Sequence, residues 1–278
     1  MTRRLALALL CLGLAGCSTA VTGAPAAAAG KLVIGTAADT YGSFLATTGV
    51  APAIVQEYTG WGTRFSVSAA GPAEAVVQIQ PRHAPLGNII AGKYDTWLKS
   101  YARSVRGYGK PVILSFGHEM NGDWSAWGYR HASPAEFSAA WRHVVTVFRQ
   151  AGAANVTWMW TVNGLAPGIS DPRQWFPGTQ WVGLVGVDQY YNKASDTWAS
   201  QFQPTIDDIR SFWAGPVLLS ETGIPQYDDQ AAKIPGLFSG AAGDHLWGIL
   251  YFDHDGTKPW VLQGTAFAAF RLAARRYG

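Results

Sequence analysis

The sequence predicts one α/β domain, a (β/α)8 barrel of the TIM type, and three observations carry that prediction. Eight short, almost continuously apolar runs recur along the chain, as strands buried on both faces require. Helix-period segments lie between several of them, which implies parallel pairing. About 250 residues follow the first thirty, the usual size of such a barrel.

Taken in order, the strands are expected near Leu32–Gly35, Ile54–Tyr58, Val76–Gln80, Val112–Phe116, Val156–Trp160, Val182–Val187, Val217–Ser220 and Leu246–Phe252. Helices are expected over Tyr94–Tyr108, Pro134–Ala151 and Phe202–Trp213. The second has Ser133 as N-cap, Pro134 at the first helical position and Glu136 three residues after the cap, a capping-box pattern. A doubly wound open sheet is the rival fold. It calls for a glycine-rich phosphate turn after the first strand, and Gly35-Thr36-Ala37-Ala38 does not supply one.

The N-terminus reads as a targeting segment. Arg3 and Arg4 precede an apolar stretch from Leu5 to Leu14 that is too short to span a bilayer, ending in Leu14-Ala15-Gly16-Cys17. This resembles a bacterial lipobox, with Cys17 as the lipidated residue; a plain secretory signal is the alternative. The organisation expected is thus a signal peptide over 1–16, a small-residue tether over 17–30 and a catalytic barrel over 31–278. The protein is expected to work outside the cytoplasm as a monomer, touching membrane only through a lipid at Cys17.

Composition narrows the chemistry. The two cysteines, Cys11 and Cys17, both lie in the signal, so disulfides and thiolate catalysis are not expected in the barrel. A formal charge of +3 with no basic cluster argues against a nucleic-acid partner. Thirteen tryptophans exceed the needs of a core, and indole faces stack on sugar rings, so the surplus points to a polysaccharide partner. About half of them are expected to be core.

Barrels of this type build their sites at the C-terminal ends of the strands. The polar residues ending the apolar runs are Glu57, Tyr58, Gln80, His118, Glu119, Trp160, Asp188, Tyr190, Glu221, Tyr251 and Asp253, and these are expected to converge. Two stand out. Glu119 follows Val112–Phe116 inside Gly-His-Glu-Met-Asn-Gly-Asp-Trp-Ser-Ala-Trp-Gly (117–128), and Glu221 follows Val217–Ser220 and precedes Thr222-Gly223. They are separated by about three βα repeats of ~30–35 residues, which places them after strands four and seven, across the barrel mouth. Paired carboxyls there suit glycosidic cleavage. A single strand-end glutamate serves equally well as a helix cap or a lysine partner; two in matching positions favour catalysis.

His118-Glu119-Met120-Asn121-Gly122-Asp123-Trp124 with Trp127-Gly128 resembles the acid/base motif of glycoside hydrolase family 26. Ser220-Glu221-Thr222-Gly223 is similar to its nucleophile motif, and Phe176-Pro177-Gly178 with Trp181 to Asp188 and Tyr190 to its sixth-strand segment. Gly92-Lys93-Tyr94-Asp95 also fits. The resemblance implies a (β/α)8 barrel that cleaves β-linked polysaccharides with retention, most often β-1,4-mannans, in some members mixed-linkage β-glucan or β-1,3-xylan. It implies Glu119 as acid/base, Glu221 as nucleophile, His118 near the 2-hydroxyl of the reacting sugar, and Tyr190 as hydrogen-bond partner of an ionised Glu221. Tyr191 takes that place if the register slips by one. Trp124 and Trp127 are implied to shape subsites, while Asn121 shapes the turn. The tryptophan that the family often carries near the end of strand eight has no counterpart in Tyr251-Phe252-Asp253, and Trp247 comes earlier.

Other chemistries fit less well. His118-Glu119 lacks the second histidine of a zinc hydrolase, because Gly122 occupies its place, and no Gly-x-Ser-x-Gly elbow occurs. Neither metal nor cofactor is expected. A noncatalytic carbohydrate-binding lipoprotein and an exopolysaccharide-trimming hydrolase are the remaining alternatives.

Overall fold

The computed structural model describes residues 30–253 and 260–278. The expected signal peptide, Cys17 and most of the expected tether lie outside the described residues. Eight parallel strands close into a barrel in sequential order. They are β1 (Val33–Ala37), β2 (Ile54–Gly60), β3 (Glu74–Gln80), β4 (Val112–Phe116), β5 (Val156–Asn163), β6 (Leu184–Asp188), β7 (Val217–Thr222) and β8 (Gly248–Phe252). The helices are α1 (Tyr41–Thr48), α2 (Leu86–Ile90), α3 (Asp95–Tyr108), α4 (Pro134–Gln150), α5 (Trp198–Gln201), α6 (Gln203–Arg210), α7 (Gln230–Gly243) and α8 (Ala266–Tyr277).

The expected strands therefore exist, with ends shifted by a few residues. The shift matters at β5 and β7, which run on to include Asn163 and Glu221. Two connections, β2–β3 and β5–β6, contain no α-helix. After β5 the outer wall is aromatic instead: Trp160 packs on Phe176 at 5.1 Å between ring centroids, and Phe176 on Phe212 at 5.2 Å. Seven of the 13 tryptophans are buried, close to the expected half.

Helix α4 shows how the outer ring is held. Ser133 Oγ accepts the backbone N–H of Glu136, worth about 1 kcal/mol for such a cap. Phe137, Trp141, Val144, Val145 and Phe148, spaced three and four apart, form its buried face. Phe137 then stacks against Phe116 of β4, fixing the strand from which the Glu119 loop departs.

The barrel interior has two storeys. Its lower part is apolar, built by Ile54, Val76, Ile113, Met159, Leu184, Leu218 and Leu250. Two residues further along five of these strands stand Gln56, Gln78, Ser115, Thr161 and Ser220, all fully buried. Period-2 alternation puts each on the inner face above its apolar neighbour. This polar storey is the floor of the site.

Candidate active site

Glu119 sits just beyond β4 in a left-handed backbone conformation, φ +53°, after Gly117 at φ +60°. That turn is tied down on both sides. The Glu119 N–H donates to the Thr161 carbonyl of β5 at 2.9 Å. Asn121, fully buried, clamps the backbone of Asn163: its Nδ2 donates to the Asn163 carbonyl at 2.7 Å and its Oδ1 accepts the Asn163 N–H at 2.9 Å. Asn121 is thus more than a turn former, because it places Asn163, whose Nδ2 donates to Glu119 Oε1 at 2.7 Å. The other carboxylate oxygen accepts from Trp124 Nε1 at 2.8 Å. Gly122 permits that contact, since a Cβ there would lie 2.2 Å from the Trp124 ring.

Glu221 reaches the mouth by a different device. Strict alternation gives it the parity of Leu219, which faces the helices. Register against both neighbours slips by one residue: Val187 pairs with Leu219 but Asp188 with Glu221, and Ile249 pairs with Leu219 but Tyr251 with Thr222. This bulge on β7 inserts one residue and turns Glu221 inward beside Ser220, as bulges near active sites do. There Glu221, 8% exposed, accepts two phenol hydroxyls, from Tyr58 on Oε1 and from Tyr190 on Oε2, the latter at 2.6 Å.

Burial raises the pKa of both glutamates. For Glu221, burial and the charge of Glu119 outweigh the two tyrosine donors and push it to about 7. For Glu119, burial outweighs the Asn163 and Trp124 bonds. The expected Tyr190 bond to Glu221 is present and Tyr58 adds a second donor, yet together they do not offset the rest. A second carboxylate and a dry site win, and the pair titrates jointly. Burial and the Glu221 charge in turn push both phenols well above their usual range, so they remain O–H donors.

The other expected residues divide. His118 is partly buried, its ring 5.8 Å from that of Tyr58 and 6.0 Å from that of Trp127. Burial and the nearby Arg82 charge push it down to about 4, so it is a neutral imidazole. Trp124 offers an open face, 52% exposed. Trp127, by contrast, is 4% exposed and spends its indole N–H on the His118 carbonyl at 2.8 Å, so it braces the loop rather than presenting a stacking face. Tyr190 faces the mouth, while Tyr191 packs in the core on Phe202, which settles the register.

Several strand-end residues do not converge. Glu57 alternates outward and Trp160 lies under the aromatic wall. Tyr251 faces α8, where it packs on Phe270 and donates to the Trp260 carbonyl. Trp247 belongs to the apolar lower storey. The aromatic missing from the end of strand eight comes from further along the chain: Trp260 stacks on Tyr190 at 4.2 Å and 21° and packs on Phe252. Gly223 makes room, for a Cβ there would lie 2.8 Å from Trp260. Sequence reasoning missed Trp260 and Asn163. Tyr58 converges as expected, on the face of β2 that it shares with Ile54 and Gln56.

A third carboxyl, Asp188, lies fully buried beneath the pair. Its Oδ1 accepts from Ser220 Oγ at 2.6 Å, and burial together with the charges of Glu221 and Glu119 pushes its pKa well above the usual range. A recess of about 210 Å3 opens beside the pair, lined among others by Asn163, Tyr190, Asn192 and Trp260. A larger cavity of about 450 Å3 lies at the other end of the barrel, between the start of β1 and α8, and contains none of these side chains. Among the described residues no group of three or more His, Cys, Asp or Glu is placed to hold a metal ion.

Comparisons with known proteins agree with this geometry. Endoglucanase H of Acetivibrio thermocellus is 31% identical over 171 residues, 57% of this chain and 19% of the relative. The mannan endo-1,4-beta-mannosidase of Bifidobacterium adolescentis is 31% identical over 137 residues, 48% of this chain and 13% of the relative. The chain therefore spans less than a fifth of the length of either relative. Among solved structures, the catalytic domain of the Bacillus sp. JAMB-750 endo-beta-1,4-mannanase superposes with a TM-score of 0.69 at 16% identity, covering 88% of this chain and 86% of that one. A Cellulomonas fimi endo-beta-1,4-mannanase variant gives 0.68 at 15%, covering 88% and 70%. The sequence profile of Glycosyl hydrolase family 26 matches residues 47–210, which takes in Glu119, Asn163 and Tyr190 and stops short of Glu221. With more than half of its length matched by that profile, on a closed eight-stranded barrel, the chain belongs to glycosyl hydrolase family 26.

Proposed function

We propose that this chain is a retaining β-glycan hydrolase, an endo-β-1,4-mannanase, with Glu221 as nucleophile and Glu119 as acid/base. The observation that carries the assignment is the difference in hydrogen-bond donors. Glu221 faces two buried hydroxyls that hold their protons, which favours its anion and aims it. Glu119 faces an indole N–H on an exposed loop and an amide, and it can take up a proton when the loop releases that indole. With the pair holding one proton near neutral pH, the arrangement ready to react has that proton on Glu119.

In the first half-reaction a Glu221 oxygen bonds to the anomeric carbon while the Glu119 proton passes to the departing glycosidic oxygen. In the second, Glu119 takes a proton from water as that water attacks the anomeric carbon and releases Glu221. His118, as a neutral imidazole, supplies a hydrogen bond to a sugar hydroxyl rather than a charge. Trp124 and Trp260 provide the aromatic walls.

The mannan assignment draws on what the relatives act on: the Bifidobacterium protein and the two solved structures are mannanases by name. Endoglucanase H favours a second reading, a β-glucan. A reducing-sugar assay over mannan, β-glucan and xylan decides between them: fastest release from β-1,4-mannan is expected, and fastest release from β-glucan replaces the substrate reading. Proton NMR during hydrolysis should show the β-anomer first; the α-anomer first rules out retention. A protein that binds these glycans but frees no reducing ends from any of them is a binder, and the enzymatic reading then fails. We also infer a lipid anchor at Cys17, supported by the lipobox-like sequence. Fatty-acid labelling of the expressed protein, lost in Cys17→Ala, tests it.

A further inference from the structure

We propose that Gln56 is a positioning residue of this reaction, whose amide fixes both the phenol clamp and the backbone of the nucleophile. The inference rests on the reading of Glu221 as nucleophile. Gln56 is fully buried on β2, inside the barrel and two residues before Tyr58. Its Nε2 donates to Tyr58 Oη at 3.0 Å and to the Ser220 carbonyl at 3.1 Å, which uses both of its N–H groups. Tyr58 has a single proton. Because its oxygen already accepts from Gln56, that proton goes to Glu221 Oε1. Ser220 is the residue before Glu221, at the bulge that turns the carboxylate inward. One amide thus holds the strand that carries the nucleophile and orients a hydroxyl that faces it.

The amide has only one workable orientation. Gln56 Oε1 receives Gln78 Nε2 at 3.4 Å, and the same Nε2 reaches Thr161 Oγ1 at 3.3 Å. A flipped Gln56 would set donor against donor at Gln78 and carbonyl against carbonyl at Ser220. The line continues to the other glutamate, because the Thr161 carbonyl accepts the N–H of Glu119. Gln56, Gln78 and Thr161 therefore tie the two glutamates together through the barrel floor, in directional bonds where the storey below has only packing. Removing Gln56 frees the Tyr58 hydroxyl to rotate and leaves Glu221 with one reliable donor. A carboxylate that loses a donor ionises at higher pH.

The test is a double-mutant cycle with pH profiles on soluble mannan, using Tyr58→Phe, Gln56→Met, their combination, and Gln56→Glu. Tyr58→Phe should lower kcat roughly 10- to 100-fold and move the acid limb of kcat/KM up by about one pH unit. Gln56→Met should do the same to a smaller extent, and the loss in the double variant should fall short of the product of the two single losses, because one part of the Gln56 effect runs through Tyr58 and the other through the Ser220 carbonyl. Gln56→Glu keeps the side chain's shape but puts an acceptor where Nε2 donates. It should also move the acid limb up, and it carries the test if the methionine variant does not fold. A wild-type acid limb and kcat in the folded Gln56 variants, or losses that multiply in the double variant, overturn the proposal. Glu221→Ala run alongside separates the two claims. If it is inactive while the Gln56 variants behave as wild type, only the positioning role fails; if it hydrolyses mannan normally, the nucleophile assignment fails.

Discussion

The ends of β4 and β7 each deliver one glutamate to the same mouth, and they do so by opposite means. After β4 the chain leaves the sheet. Two left-handed residues, a buried asparagine clamp and a folded-back tryptophan hold Glu119 on a loop whose rim is exposed. At β7 the chain stays in the sheet, and an inserted residue turns Glu221 inward among buried phenols. In the proposed assignment the group that exchanges a proton twice per turnover sits on the more open support, and the group that attacks one carbon along one line sits on the stiffer one. The two carboxyls are chemically identical, so their division of labour is set by support and donors.

The largest effect that can break this comparison comes from removing each carboxyl. Glu221→Ala should abolish turnover on every substrate, by about 10^4-fold or more. Glu119→Ala should cost about 10^2- to 10^4-fold on polysaccharide and far less on aryl glycosides whose leaving group needs no proton. Added azide should rescue both, giving the β-glycosyl azide from Glu119→Ala and the α-anomer from Glu221→Ala. Exchanged anomers reverse the assignment.

A step smaller is Tyr190→Phe, which takes one of two donors from Glu221 and should lower kcat about 10- to 100-fold with little change in KM. Unchanged kcat would leave Tyr190 as no more than a stacking partner of Trp260. Smaller again is Trp124→Phe, which keeps an aromatic face but removes the N–H bonded to Glu119. An effect within about tenfold is expected, consistent with a replaceable donor on an open loop. A loss as large as that of Tyr190→Phe would place both glutamates on equally rigid supports.

The smallest effect is on stability, and its sign is fixed by linkage. Glu221 has its pKa raised from an ordinary 4.5 to about 7 on folding, so between those values the native state binds the extra proton. Its contribution is therefore most favourable below pH 4.5 and is lost as pH rises through about 7. Glu221→Gln should raise the melting temperature, and more at pH 8 than at pH 5; an equal gain at both would show that Glu221 is not strained by its own charge.

Much of this organisation was legible in the sequence because apolar runs set strand order, and strand order sets which ends face each other. That reasoning placed Glu119 and Glu221 after strands four and seven and put Tyr190 on the inner face. It did not extend to features made by breaking the pattern. Alternation points Glu221 at the helices, and only the register slip against β6 and β8 redirects it. Asn163 was hidden because β5 runs three residues beyond the expected end at Trp160. Trp260 was hidden because it comes from beyond the strand whose end it covers. Trp127 was misjudged for the opposite reason: its motif resembles a subsite, while its ring lies against the turn at Gly117 and its N–H is spent on the His118 carbonyl.

The inserted residue of β7 also sets how this site can be damaged. Replacing Ser220 changes a side chain but keeps the count, so the carboxylate of Glu221 still points into the mouth. Deleting Ser220 removes the inserted residue, and alternation alone then leaves Glu221 on the inner face, opposite in parity to Leu219, without the Ser220 hydroxyl on Asp188. The direction of Glu221 in the full-length strand thus rests on how β7 pairs with its neighbours rather than on residue types alone. With a regular strand of the same residues, the chain would carry both glutamates and present only one of them to the mouth.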